Sequence, residues 1–285
     1  MNNVEQRIQQ TCDFIANNLD VSHSLDSLSE FACYSKFHFH RAFKAHTGLS
    51  LTRYILLLRL RRASFRIAFE KQLNLLEIGF EAGFDSAEAF TRAFQREVGE
   101  LPSVFRQDPN WANWHQRLHM QPRPTTTRHN MNVAIKQIDT IPIAYLTHLG
   151  SPQTVLQTAG KFIEWRKESG LSPVKQSRTF GIPYSDPETT PADEFRWDVC
   201  GSVTSSIPDN RYGVKNGAIA AGRYAVLQHQ GSHAGLNEKI WYLFDTWLPQ
   251  NNEEPGNHPI VFEYLNFVFE VDEHDLLTDI YLPLK

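Results

Sequence analysis

The chain has 285 residues, beyond the usual single domain of roughly 100–150, so two domains are expected; 41% hydrophobic and 21% charged residues fit ordinary globular ones. Cys12, Cys33 and Cys200 are far apart and odd in number, which excludes a disulfide framework or a C-x2-C zinc site and suits a reducing cytoplasm. The charge of −4 hides a split: Lys36 to Arg106 carries 12 basic and 7 acidic residues, whereas His119 to Lys285 carries 14 basic and 19 acidic, and a basic front suits a polyanion.

The N-terminus, Met1 to Gln10, is polar and lacks the apolar stretch of a signal peptide. The longest apolar run, Ile55 to Leu58, stops at Arg59, far short of the ~18 residues a membrane helix needs. Up to Pro102 there is no proline, and apolar residues recur at three- and four-residue spacing, which predicts helices. A repeat runs through them with a period near 51. Phe39-His40-Arg41-Ala42-Phe43-Lys44, then Thr47-Gly48, matches Phe90-Thr91-Arg92-Ala93-Phe94-Gln95, then Val98-Gly99; upstream, Ala32-Cys33-Tyr34 matches Ala82-Gly83-Phe84.

At 100° per residue, Phe39 and Phe43 share one face of a helix over 35–46, and Phe37, Arg41 and Lys44 lie opposite, with His40 beside them. In the second copy, over 86–97, Phe90 and Phe94 face inward and Glu88, Arg92 and Gln95 outward, with Thr91 beside them. Each follows a short turn and another helix, 25–32 or 75–82. That is the helix-turn-helix plan, whose second helix enters the major groove. Arginine can donate two hydrogen bonds to guanine, and glutamate can accept from a cytosine amino group. The phenylalanine pairs are expected to be core. Between the copies, 51–70 has no glycine or proline and reads as one helix of about 30 Å, close to a turn of B-DNA at about 34 Å. Its Arg59, Arg61, Arg62 and Arg66 are candidates for phosphate contact or for a solvated face.

These residues resemble the DNA-binding region of the AraC/XylS family over roughly 8–107. Gly83-Phe84-x-Ser86-x-x-x-Phe90-Thr91-Arg92-Ala93-Phe94, then Gly99-x-x-Pro102-Ser103-x-x-Arg106, resembles its C-terminal signature, and Ser35 to Lys44 its first recognition helix. The resemblance implies that Phe37, His40 and Arg41 read one groove segment and Glu88, Thr91 and Arg92 the next. It also implies double-stranded DNA bound by a monomer, RNA polymerase as a partner, and an activator. Cys33 stands where the family usually has glycine; a positive φ there would strain it.

Residues 108–131 read as a linker, with a helical turn around Trp111 and Trp114 and two prolines and three threonines over 121–127. His115 and His119 stand four residues apart but have no acid or cysteine set nearby; no metal or cofactor is expected. Over 132–285, strand, helix and strand signals come in two copies with a period near 81. Ala144 to Ser151 matches Ala225 to Ser232, Asp198-Val199 matches Asp279-Ile280, and tryptophans follow each copy at Trp165 and at Trp241 and Trp247. A duplicated unit commonly leaves a cleft on its pseudo-twofold axis, and Tyr145, Trp165, Tyr184, Tyr224 and Phe269 are candidate aromatic walls for an amphipathic or cationic molecule, against the alternative that they fill the core. His148 and His229, equivalent in the repeat, suggest a structural or pocket-wall role.

This half resembles the GyrI-like ligand-binding domain through Gly222 to Gly231, Trp247-Leu248-Pro249, Tyr264-Leu265-Asn266 and Leu277 to Leu284. Together the two resemblances imply an α plus α/β multidomain chain: an all-α tandem helix-turn-helix domain at 1–107, a linker at 108–131, and an α+β duplicated, SH2-motif-like effector domain at 132–285. The family's cation-binding glutamate resembles Glu263, but aligned on Tyr264 it comes one place late, with Phe262 where the acid is expected. One place along a strand means the opposite face, so either a bulge restores Glu263 to the pocket or the pocket lacks its acid. No G-x-S-x-G, H-E-x-x-H, P-loop or G-x-G-x-x-G is present, and the chain is expected not to be an enzyme. Two other classes compete with a ligand-responsive DNA-binding regulator. One is a hydrolase of reactive small molecules using Glu263 and a tyrosine; the other is a protein-binding inhibitory module.

Overall fold

A computed structural model describes residues 3–118, 131–185 and 190–285. The chain divides into two compact units, Met1–Gln121 with Val268–Asp275, and Pro122–Phe267 with Leu276–Lys285.

The first unit is helical: α1 (Asn3–Ala16), α2 (Leu25–Phe31), α3 (Lys36–Thr47), α4 (Leu51–Phe69), α5 (Leu75–Glu81), α6 (Ala87–Val98), α7 (Pro102–Gln107) and α8 (Trp111–Leu118). Local chemistry sets the boundaries. Ser35, Ser50 and Ser86 each accept a backbone N–H in the first turn of α3, α4 and α6, a contact worth about 1 kcal/mol per helix. Gly48 and Gly99 end α3 and α6 at φ +74° and +94°. The repeat is visible in these numbers: α3 with both caps recurs in α6 displaced by 51, whereas α2 recurs in α5 displaced by 50. The second turn therefore holds one more residue, Asp85.

The turn position has a positive φ in both copies, +56° at Cys33 and +80° at Gly83. The strain expected of Cys33 is present, and the helix-turn-helix still forms around it. A Cβ on Gly83 would lie 2.5 Å from a terminal nitrogen of the Arg59 guanidinium, so a larger residue in the second turn would have to push Arg59 aside as well as adopt the left-handed φ.

Two features of this unit depart from the sequence reading. First, the stretch expected to be linker begins as a folded helix: Trp111 and Trp114 are about 1% exposed, their rings 5.7 and 5.1 Å from Phe65. Two indoles at i and i+3 bury far more apolar area than a tether would leave exposed. Residues 119–130, with His119 and both prolines, lie outside the described residues. Second, the α4 arginines are engaged within the protein. Arg59 donates to the Leu19 and Val21 carbonyls at 3.1 and 3.2 Å. Arg61 pairs with Glu273 and Arg62 with Asp272, both at 2.9 Å; Arg62 also reaches Asp20. Arg66 pairs with Glu70 and Glu81. Guanidinium groups committed to several acceptors are poor phosphate ligands.

The second unit is one eight-stranded antiparallel sheet of order β1-β6-β8-β7-β3-β4-β2-β5. Its strands are β1 (Val133–Ile138), β2 (Ile141–Leu149), β3 (Thr179–Pro183), β4 (Arg196–Ser202), β5 (Lys215–Ile219), β6 (Gly222–Gln230), β7 (Val261–Tyr264) and β8 (Leu277–Pro283). Helices α9 (Val155–Ser169), α10 (Leu236–Tyr242) and α11 (Leu248–Asn251) complete it. Displacement by 81 carries β2 onto β6 and β4 onto β8 end for end, and carries the start of α9 onto the start of α10. The strand order is a palindrome under that operation, with β3 and β7 paired at its centre. The first strand of each half is exchanged: β1 pairs with β6, and β5 with β2.

Alternation along the strands gives two faces. One is covered by helices. There, α9 packs Phe162 and Trp165 on Ala144, while Leu243, Trp247 and Leu248 pack on Ala225, Phe262 and Ile280. The opposite face gathers Ile143, Tyr145, Phe180, Ile182, Cys200, Tyr224, Val226, Val261 and Tyr281 from both halves.

Candidate functional site

On α3 and α6 the inward positions are filled as the pattern dictates. Phe39, Phe43, Phe90 and Phe94 are at most 1% exposed, and the rings within each pair are 5.5 and 5.6 Å apart. Their burial fixes the rotation of each helix, and so fixes which residues face out. His40, Arg41 and Lys44 of α3 are exposed, as are Glu88, Arg92 and Gln95 of α6; Thr91 is half-buried. The side chain of Phe37 lies outside the described residues. Each helix thus presents an arginine and a second polar residue three positions on, Lys44 or Gln95, at the same place in both copies. One internal anchor was missed by sequence reading: Glu97, buried in the last turn of α6, accepts from Arg53 of α4 at 2.8 and 3.3 Å and from Arg96 at 2.9 Å.

In the second unit the polar centre of the helix-free face lies on the two middle strands. The register places Phe180 of β3 opposite Glu263 of β7, and Glu263 opposite Asp279 of β8. The β7–β8 ladder is continuous, so Glu263 reaches the helix-free face without a bulge, and Phe262 goes under the helices. The buried Glu263 carboxylate accepts Arg178 Nε–H at 2.6 Å, Arg178 Nη2–H at 2.7 Å and the Tyr281 hydroxyl at 2.7 Å. Burial pushes its pKa up. The Arg178 and Tyr281 bonds, with the charges of Arg178 and Lys136, outweigh that and hold it below the usual glutamate value. The hydrogen bond to Glu263 raises Arg178, and burial followed by the bond to Glu263 raises the Tyr281 phenol.

Around this centre, Tyr224 packs edge-on to Tyr281 with ring centres 6.2 Å apart and donates to the Ala220 carbonyl at 2.9 Å. Tyr145 lies on the same face, and Tyr184, at the end of β3, is 46% exposed with the Arg196 guanidinium 3.9 Å from its ring centre. The structure thus brings Tyr145, Tyr224 and Glu263 onto one face, with Tyr184 at its margin. Trp165 is carried by α9 and packs into the core between that helix and the sheet, and Phe269 belongs to the first unit, its ring 5.9 Å from that of Phe69. Sequence reading missed Arg178 and Tyr281. Tyr281 could have been found from its place in the second repeat, two residues after Asp279 on the same strand face. Arg178 carries no local signal, because only the β3–β7 pairing gives it a partner.

His148 and His229 face the helices. Nε2–H donates to the Ser151 carbonyl at 3.0 Å in one copy and to the Ser232 carbonyl at 2.8 Å in the other. They clamp equivalent loops, which is a structural role. Two cavities, of about 250 and 280 Å³, occur at equivalent ends of the sheet, beside Tyr224 and Ile143. Both are below the roughly 300 Å³ at which small-molecule pockets begin. Among the described residues, no group of three His, Cys, Asp or Glu side chains can hold a metal, and no helix is long and apolar enough to cross a membrane.

The model of the GyrI-like small molecule binding domain matches residues 131–285, and a helix-turn-helix domain model matches 28–108. The probable transcriptional regulator YgiV of Escherichia coli K12 is 46% identical over 158 residues, covering 55% of this chain and 99% of YgiV. The transcriptional regulator Rob of Salmonella typhimurium is 25% identical over 250 residues, covering 84% and 83%. The TetD protein of transposon Tn10 from Escherichia coli is 38% identical over 98 residues, covering 34% and 70%.

Proposed function

Because the chain belongs to the GyrI-like small molecule binding domain family and carries an AraC-type helix-turn-helix domain in front of it, we propose that it is a cytoplasmic, non-enzymatic transcription regulator that reads two successive major-groove segments of promoter DNA and answers to a small amphipathic molecule. The observation that carries the first half is the pair α3 and α6. Two helices displaced by 51 residues bury the same phenylalanines and expose arginine at the same position. A solvated arginine is common on any helix, but two in register on a duplicated reader are not. Arg41 and Arg92 take guanine edges; His40, Lys44, Glu88, Thr91 and Gln95 supply neighbouring base or phosphate contacts, and Phe37 a thymine methyl. Binding is by a monomer, since one chain holds both readers, and activation works through RNA polymerase. Residues 1–107 with α8 form the DNA-binding part.

The effector meets the helix-free face of the sheet, at Tyr145, Tyr184, Tyr224 and Glu263. The hydrolase alternative loses ground to Arg178, which keeps Glu263 ionised, the wrong direction for a general acid. A mobility shift on promoter DNA tests the main reading. Binding should weaken steeply with salt and be lost in Arg41→Ala with Arg92→Ala, and a double variant that binds as the native protein does sinks it.

A further inference from the structure

We propose that Arg178 sets the charge class of the effector: by filling Glu263 it turns the site away from monocations and toward aromatic molecules that bear no positive charge. The inference deepens the effector reading above and rests on it.

A buried carboxylate at the centre of an aromatic face would, left open, attract a cation strongly. Here both its oxygens are occupied. Arg178 donates to each, at 2.6 and 2.7 Å, and Tyr281 donates to Oε2 at 2.7 Å. A cationic ligand must therefore displace Arg178, exchanging one ion pair for another with no gain in charges paired. Arg178 is also the member of the cluster that an incoming molecule meets. Its side chain is 43% exposed against 9% for Glu263, and its guanidinium lies 5.0 Å from the centre of the buried Phe180 ring.

The duplication shows that the pair is not needed to build the strands. Displacement by 81 puts Ile182 in the place of Glu263, and Pro259 in the place of Arg178. The same fold is made in the other half with an apolar residue where the acid stands. The ion pair is thus a single addition at the seam of the two halves, where β3 meets β7. Lys136 and Asp279 also face it, one charge of each sign, and leave the centre near neutral.

The test uses two ions of nearly the same shape and opposite charge, tetraphenylphosphonium and tetraphenylborate. Each is titrated calorimetrically into the full-length native protein and into Arg178→Met, Arg178→Lys and the double variant Arg178→Met with Glu263→Gln. The native protein should bind the borate at least as tightly as the phosphonium. Arg178→Met should reverse that order, with phosphonium affinity rising about ten-fold or more, the scale of one charge-assisted contact. Lysine should keep the native order, and the double variant should lose the gain. The ratio is read within one protein, so a loss of stability lowers both affinities and does not move it. A native preference for the phosphonium, or an unchanged ratio in Arg178→Met, overturns the role of Arg178 while leaving the effector face intact. Failure of every protein to bind either ion overturns both.

Discussion

Removing the two partners of the ion pair that fastens α6 should have unequal effects, although the same contact is lost. Glu97 is buried, its side chain 5% exposed; Arg53 is 51% exposed and Arg96 64%. Arg53→Met strands a carboxylate in the interior. An uncompensated buried charge costs about 3–5 kcal/mol, but Arg96 still serves one oxygen, which brings the expected loss to roughly 2–3 kcal/mol. Glu97→Gln instead frees two arginines that already face water and rehydrate. The amide keeps one acceptor, so the expected loss is about 1 kcal/mol. Hydrogen exchange of the α4 and α6 amides, with urea unfolding followed by helical circular dichroism, reads both. A Glu97→Gln loss equal to or larger than that of Arg53→Met would refute the idea that the cost sits on the buried partner.

Cys33→Gly should gain up to about 1.5 kcal/mol: relief of a left-handed side chain is worth about 1–2, and the extra freedom of the unfolded glycine takes back about 0.4–1. Gly83→Ala should lose more than 1 kcal/mol, because it meets Arg59 as well, and thermal melts of the two variants moving the same way would contradict this. Glu263 has a folded pKa below the ordinary glutamate value of 4.5, so its contribution is present above that pH and is lost as pH falls through the folded value. The native melting temperature should therefore fall faster than that of Glu263→Gln on acidification below 4.5; parallel curves would show that Arg178 and Tyr281 do not hold the carboxylate. Arg92→Ala should cost about 1–3 kcal/mol on its preferred DNA site and relax base preference there, whereas equal weakening on every sequence would make it a phosphate contact.

Much of the fold was legible because duplication writes the same structure twice. Phe39 and Phe43 alone indicate only an amphipathic helix; their recurrence at Phe90 and Phe94 identifies two equivalent helices and fixes the outward residues of both. The 81-residue repeat likewise located β2 with β6, and β4 with β8. The face of the sheet opposite the helices was less legible. Trp165 and Tyr224 are both aromatic residues in a duplicated unit, yet one is on α9, packed against the sheet, and the other on the opposite face of that sheet. The period of 2 gives faces only once a strand's partner is known.

Local chemistry along the chain determined where helices start and stop, which side of α3 and α6 is buried, and that each unit is doubled, because capping, helical period and repeat are all short-range or self-referential. Only the tertiary structure decided which charges are free. Arg62 and Arg92 look alike in the sequence, but Arg62 meets Asp20 and Asp272 while Arg92 stays exposed. Glu263, 85 positions further along the chain, becomes the partner of Arg178 only when β3 and β7 pair. An ion pair depends on distance in space, and the chain sets that distance only by folding.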